Sequence, residues 1–280
     1  RGARLTPALP LRLKFWGVRG SIPTPEVSHL GYGGNTACLE ICYGNLRLII
    51  DAGSGLRRLG LARSEAPPQS DGETHVFLSH FHWDHVQGLP FFVPLYRPNW
   101  RLAFYSAHPA GELEAALATQ MRAPHFPAEA AVRARREYRR VEPGGVRLGE
   151  VTVRAFALNH PGGCVGYRID APHASLVYAT DHEHGCDPAS DNRLRECARG
   201  ADLLIYDAQF TPQEYECKQG WGHSTWLEGT SVARDAGVKQ LILFHHDPER
   251  GDQGVSRIVD QARAVFENTA GAREGWSVDL

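Results

Sequence analysis

The stretch His80-Phe81-His82-Trp83-Asp84-His85 packs four groups able to ligate a metal into six residues. It follows residues 74–79, a short apolar run that reads as a strand, so the cluster sits at a strand end, where chemistry tends to be placed in mixed folds. Alternate side chains of an extended segment share a face, which sends His80 and His82 to one side. Asp84 and His85 follow once the chain turns and are placed to serve a second metal. Imidazole with carboxylate suits zinc first, with manganese or iron also compatible.

Working outward, further ligand types stand at other strand ends. His160 ends the strand at 151–158, in Asn159-His160-Pro161-Gly162-Gly163; Asp181 ends 175–180; His245 and His246 end 239–244. Asp51 ends 46–51 and runs into Ala52-Gly53-Ser54-Gly55, where glycine permits a tight turn beside a site. One histidine at a strand end is ordinary; ligand types at four separate strand ends call for a common centre.

Between these points the pattern gives strands at 11–16, 36–42 and 46–51, the last two joined by the hairpin signal Gly44-Asn45, then a loop at 67–73 and strands at 74–79 and 101–106. A helix is expected at 111–121. Residues 128–140 carry five arginines between Arg133 and Arg140 and are taken as a solvated helical face, with steering of an anionic substrate as the alternative. Strands return at 146–148, 151–158, 165–170, 175–180 and 203–206. A helix at 225–236 opens on a capping box of Thr225 and Glu228, a strand follows at 239–244, and a last helix from Asp252 to about Asn268 takes Asp252 as its N-cap. Strands in runs of two or three with helices after each half predict a layered α+β fold, with no obvious internal repeat. One domain over residues 1–280 is expected, with 1–10 as a short flexible leader.

Of 280 residues 42% are hydrophobic, enough for a substantial core, and 30 basic against 32 acidic residues leave a formal charge of −2. Such a balance gives no global argument for nucleic acid or an anionic membrane as partner. No run approaches the ~20 apolar residues that span a bilayer. Six cysteines are dispersed without a Cys-x-x-Cys pair, which predicts reduced thiols and a cytoplasmic location.

On His80-x-His82-x-Asp84-His85 followed by a distant histidine, aspartate and histidine, the chain resembles the metallo-β-lactamase superfamily. Asp202-Leu203-Leu204-Ile205-Tyr206-Asp207-Ala208-Gln209, Gly222-His223-Ser224-Thr225 and Leu241-Ile242-Leu243-Phe244-His245 are similar to its ribonuclease Z and cyclic phosphodiesterase branch. The resemblance implies a four-layer αββα fold of two mixed sheets flanked by helices, and two divalent metal ions, zinc first, with manganese or iron as alternatives. It implies one metal on His80, His82 and His160, the other on Asp84, His85 and His245, and Asp181 bridging both. It further implies that Asp207 and His223 pair beside the metals and that Asp51 braces the ligand turn from behind.

Two such ions activate a water and stabilise the attacking and leaving oxygens of a phosphodiester. His223, oriented by Asp207, then serves as general acid, so Asp84, Asp207 and His223 make up the catalytic group. The expected reaction is hydrolysis of a small anionic phosphodiester, a cyclic nucleotide or other cyclic phosphate. The alternatives are tRNA 3′ processing, a lactone or thioester hydrolase, and a binding protein without turnover. Ribonuclease Z proper carries an inserted glycine- and proline-rich arm that grips tRNA, and this sequence shows no such insertion. A homodimer is compatible with the sequence. His182, His184 and His246 each adjoin an expected ligand and are left as substrate contact, support or bystander, and His245 over His246 rests on the alignment of one strand. Trp83 and Trp221 can stack on a base or pack at the rim.

Overall fold

Alternation of apolar and polar residues from Leu11 to Phe15 in β1 (Leu11–Gly17) buries Leu11, Leu13 and Phe15 on one face, and that pattern seeds the first of two sheets. The computed structural model describes residues 9–65 and 73–280; residues 1–8 of the expected leader, and 67–72 of the expected loop at 67–73, lie outside the described residues. β1 pairs antiparallel with β2 (Cys38–Tyr43), which turns at Gly44, φ +56°, into β3 (Leu46–Ile50). From there the sheet continues in parallel through β4 (Thr74–Phe77), β5 (Arg101–Ser106) and β6 (Arg135–Arg140).

The second sheet begins with antiparallel β7 (Val146–Leu148), β8 (Val151–Leu158), β9 (Cys164–Asp170) and β10 (Ser175–Ala179). It continues in parallel through β11 (Leu203–Asp207), β12 (Gln240–Phe244) and β13 (Thr269–Gly271). The C-terminal β14 (Ser277–Asp279) returns to the first sheet and pairs with β1. Each sheet therefore has three antiparallel pairings followed by three parallel ones.

Helices α1 (Gly55–Glu65) and α3 (Ala110–Gln120) pack on the outer face of the first sheet, on either side of the short α2 (Trp83–Val86) in sequence. After α4 (Pro188–Ala198) and the short α5 (Pro212–Tyr215) come α6 (Trp226–Ala236) and α7 (Asp252–Val265); α4, α6 and α7 cover the second sheet. The metallo-β-lactamase layering of helix, sheet, sheet and helix results, with one apolar layer between the sheets, around Phe15, Phe77, Tyr178 and Phe244, and one under each set of helices. Among the described residues no helix is long and apolar enough to cross a membrane. All six cysteines are free thiols.

Several expectations need correction. The arginine-rich segment is not helical: Arg135, Arg136, Arg139 and Arg140 lie in the edge strand β6, because pairing with β5 and the alternating exposure of an edge accommodate charge as well as a helix face does. The strand expected from Thr36 begins at Cys38, since Thr36 is drawn into bonds with Ser54 instead. Gly251, not Asp252, is the N-cap of α7; the Asp252 carboxylate accepts the Gly31 and Tyr32 amides. Thr225 does cap α6 by accepting the Glu228 amide, but the Glu228 carboxylate pairs with Arg195, so only half the capping box forms. The helices α1 and α4 were not foreseen, and with them the strand–helix alternation of the parallel half of each sheet was missed.

Candidate active site

The centre is built where strands of the two sheets end side by side. After β4 the backbone amide of Ser79 donates to Asp51 at the end of β3, and the Ser79 hydroxyl donates to the same carboxylate. Asp51 is fully buried and also accepts the Tyr178 hydroxyl (2.7 Å) and the His85 Nδ1–H (2.8 Å). One carboxylate thus ties β3, β4, β10 and the histidine turn together. His82 then caps α2, whose single turn brings Asp84 and His85 inward.

Four of the five imidazoles, all but His82, converge through their Nε2 atoms. His85 Nδ1 donates to Asp51, His160 Nδ1 to the Gly222 carbonyl (2.8 Å) and His245 Nδ1 to Gln209 Oε1 (3.0 Å). His80 Nδ1 lies 3.0 Å from the Ser79 hydroxyl, whose own proton is given to Asp51. With each Nδ1 so occupied, the Nε2 lone pairs face the centre. His85 Nε2 and His245 Nε2 are 3.3 Å apart, and His160 Nε2 is 3.1 Å from His82 Nδ1. Buried His80 Nε2 has no hydrogen-bond partner.

Asp181 stands between the two groups. Its Oδ1 is 3.8 Å from both His80 Nε2 and His160 Nε2, and its Oδ2 is 3.2 Å from His85 Nε2 and 3.4 Å from His245 Nε2. Asp84 Oδ2 lies 3.3 and 3.2 Å from the same two nitrogens and accepts the Ser21 amide. Donor atoms of His80, His82 and His160 fall within 4.8 Å of one another, as do those of Asp84, His85 and His245. Opposed lone pairs, an orphaned buried nitrogen and a carboxylate aimed at both groups are what a site for two cations requires, so the residues fit divalent metals. Three of these residues, Asp51, Asp181 and His245, hold left-handed backbone conformations, φ +61°, +53° and +60°, strained for side chains of these types.

Electrostatics follow from this crowding. Burial works against the Asp84 and Asp181 charges, but the surrounding imidazoles hold both carboxyls below their usual range. Burial, reinforced by the neighbouring His85 and only partly opposed by Asp181, pushes His80 well below the ordinary value for histidine. His223 moves the other way: burial disfavours its charge, yet Asp207, 2.8 Å from Nδ1, outweighs that and lifts it to about 9. Asp207 Oδ2 also accepts the Asp181 amide (2.9 Å), so a single carboxylate fixes both the His223 ring and the loop of the central aspartate.

All of the expected site residues therefore meet in one place. His245, not His246, turns its ring into it; His246 donates to the Ala272 carbonyl and lies edge-on to Tyr32. His182 is a support: Asp191 holds its Nε2 and its Nδ1 accepts the Asn159 amide. His184 bonds the Ser224 hydroxyl. Trp83 and Trp221 are 79% and 58% exposed, at positions directly beside His82 and Gly222. Sequence reasoning assigned no role to Ser79, Tyr178, Gln209 or Glu183. Only Gln209 had a signal, its place in the Asp202–Gln209 stretch; the others act through contacts that no local pattern encodes.

Comparison with known proteins bears on family and fold. Residues 46–246 match the model of the beta-lactamase superfamily domain. Ribonuclease Z of Methanopyrus kandleri is 28% identical, the alignment covering 96% of this chain and 97% of that one. Among solved structures, the metallo-beta-lactamase fold protein YhfI of Bacillus subtilis superposes with a TM-score of 0.71 at 20% identity, covering 97% of this chain and all of that one. A diphosphatase of the PhnP family has the same TM-score and identity, covering 96% and 98%.

Proposed function

This chain belongs to the beta-lactamase superfamily, and on that premise we propose that it is a metal-dependent phosphodiesterase acting on a small cyclic phosphate or cyclic nucleotide. His80, His82 and His160 would hold one divalent ion and Asp84, His85 and His245 the other, with Asp181 between them. When bound, such a pair of ions supplies Lewis acidity, neutralises phosphoryl charge and lowers the pKa of a water. The observation that carries the reading is the buried His223–Asp207 pair, its Nδ1 3.8 Å from Asp181 Oδ1.

An alkoxide is a poor leaving group and needs a proton as the P–O bond breaks. With Nδ1–H bound to Asp207, which favours the charged ring, His223 presents Nε2–H as that donor. Asp207 stays an acceptor throughout and stabilises the imidazolium, while the amides of Gln209 (3.1 Å) and Asp181 hold the carboxylate itself in place. The proton His223 gives up is replaced from the water consumed. A lactone or thioester expels its leaving group with less help, which is why the pair favours phosphoester chemistry.

Near-balanced charge supports a small substrate over a polyanion. A second reading, tRNA 3′ processing, is favoured by the name of the Methanopyrus kandleri relative. Zinc- or manganese-loaded protein should be assayed on bis-p-nitrophenyl phosphate, 2′,3′- and 3′,5′-cyclic nucleotides, a lactone and precursor tRNA. Turnover of the cyclic phosphates is expected. Turnover of the lactone alone would remove the phosphodiesterase reading, and cleavage of precursor tRNA alone would establish the second.

A further inference from the structure

We propose that Glu183 is a positioning residue that locks the His223 loop onto the ligand loops, and so sets the geometry of the proton donor; this rests on the role proposed for His223. Glu183 is 3% exposed, two residues past Asp181. Its Oε1 accepts the Gly220 amide (2.6 Å) and the Tyr215 hydroxyl (3.1 Å), with the Cys186 thiol at 3.5 Å, and its Oε2 accepts the Gly222 amide (2.7 Å).

Those contacts grip the chain immediately before His223. Gly220 and Gly222 both have φ +84°, and a side chain at Gly222 would collide with His160, its Cβ coming within 2.2 Å of Nδ1. The loop can approach only as bare backbone, and backbone needs an acceptor to stay there. The Gly222 backbone then relays the grip across its two flanking peptides: its N–H goes to Glu183 and its carbonyl receives His160 Nδ1–H. Glu183 is itself fixed by a reciprocal pair with Asn159, amide to carbonyl at 2.8 Å and Asn159 Nδ2 to the Glu183 carbonyl at 2.9 Å. Asp207 orients the His223 ring; Glu183 fixes the backbone from which that ring projects.

Only a carboxylate serves both glycines, because a glutamine turns an N–H donor toward one of them. For metal-loaded Glu183→Gln we expect kcat on a 3′,5′-cyclic nucleotide, whose leaving group is an alkoxide, to fall ~100-fold, the scale of general-acid catalysis. Loss on thymidine 5′-p-nitrophenyl phosphate, whose leaving group needs little protonation, should stay under ~10-fold, with KM little changed and the metal content retained. Glu183→Asp, which keeps the charge, should recover part of the loss and stands in should the glutamine variant not fold. In both variants the Gly220 and Gly222 amides should lose at least ~10-fold of their protection from hydrogen exchange, a readout independent of substrate.

Equal loss on both substrates, loss of metal, or unchanged protection would overturn the proposal. If the wild-type protein turns over no phosphodiester, the reading of its function fails while the exchange measurement still decides whether Glu183 holds the loop.

Discussion

His85 and His245, in the inner group of the centre, are fully buried, and each has its Nδ1 tied to a fixed acceptor, Asp51 or Gln209. His82, in the outer group, is exposed; its Nδ1 faces His160 Nε2, and it alone of the five histidines turns that atom inward. An imidazole whose outer nitrogen is held by an acceptor is pre-oriented and made more basic, so the two groups, alike in residue types, should differ in how firmly they hold a cation. The inner group is finished by the fold; the outer one is completed by a side chain that stays in contact with solvent.

The largest expected effect tests that difference directly. His245→Ala should lose more than ~10³-fold in activity, beyond what removing a single oxyanion donor costs, and should bind little metal by elemental analysis. His82→Ala should lose one metal equivalent and keep the other, and in the intact protein a chelator should withdraw the two with affinities ~10–100-fold apart, the outer first. Equal affinities would break the comparison. His223→Ala should slow hydrolysis by ~10²–10³-fold with both equivalents retained, which separates proton donation from metal binding; loss of metal would make it a ligand.

Asp51→Asn, which weakens the direct brace behind His85, should lower inner-site affinity ~10–100-fold and outer-site affinity by less, since it reaches His80 only through the Ser79 hydroxyl, read by metal competition. The smallest effect is a control lying outside both groups. His75 in β4 is lowered to about 4, by its burial and by Arg139, so its neutral form is favoured in the folded chain. Its contribution is fully present above the unfolded value near 6.5 and is lost as pH falls from there toward 4, on the order of 2 kcal/mol. Metal-free His75→Gln should show a flatter decline in stability over that window, by denaturant titration, which separates acid loss of fold from acid loss of metal.

Legibility in the sequence cuts across the two groups, each of which has two members in the six-residue cluster and one at a distant strand end. His80, His82, Asp84 and His85 are legible because one strand end delivers them within six residues, and spacing alone brings them together. His160, Asp181 and His245 were readable only as repeated strand ends, and the choice of His245 over His246 needed the left-handed turn at the end of β12 that decides which ring faces in. Glu183 acts on backbone amides 37 and 39 residues away, and an amide leaves no mark in a sequence. In the fold, apolar alternation revealed most strands. The arginines of β6 were misjudged because a charged edge and a charged helix face look alike when neither side is buried. α1 and α4, short of apolar residues and interspersed with charge, gave too little periodicity to be seen.

The two groups proposed to hold the ions each combine residues that follow β4 of the first sheet with one from a strand end of the second: His80 and His82 with His160, Asp84 and His85 with His245. With six free thiols, this chain has no covalent staple across its two layers. Bound cations would therefore act as the protein's cross-links, fastening one sheet to the other at the end of the sandwich where several turns are strained. On that view the metals belong to the architecture as much as to the chemistry, and stripping them should loosen the seam between the halves before it disturbs either sheet.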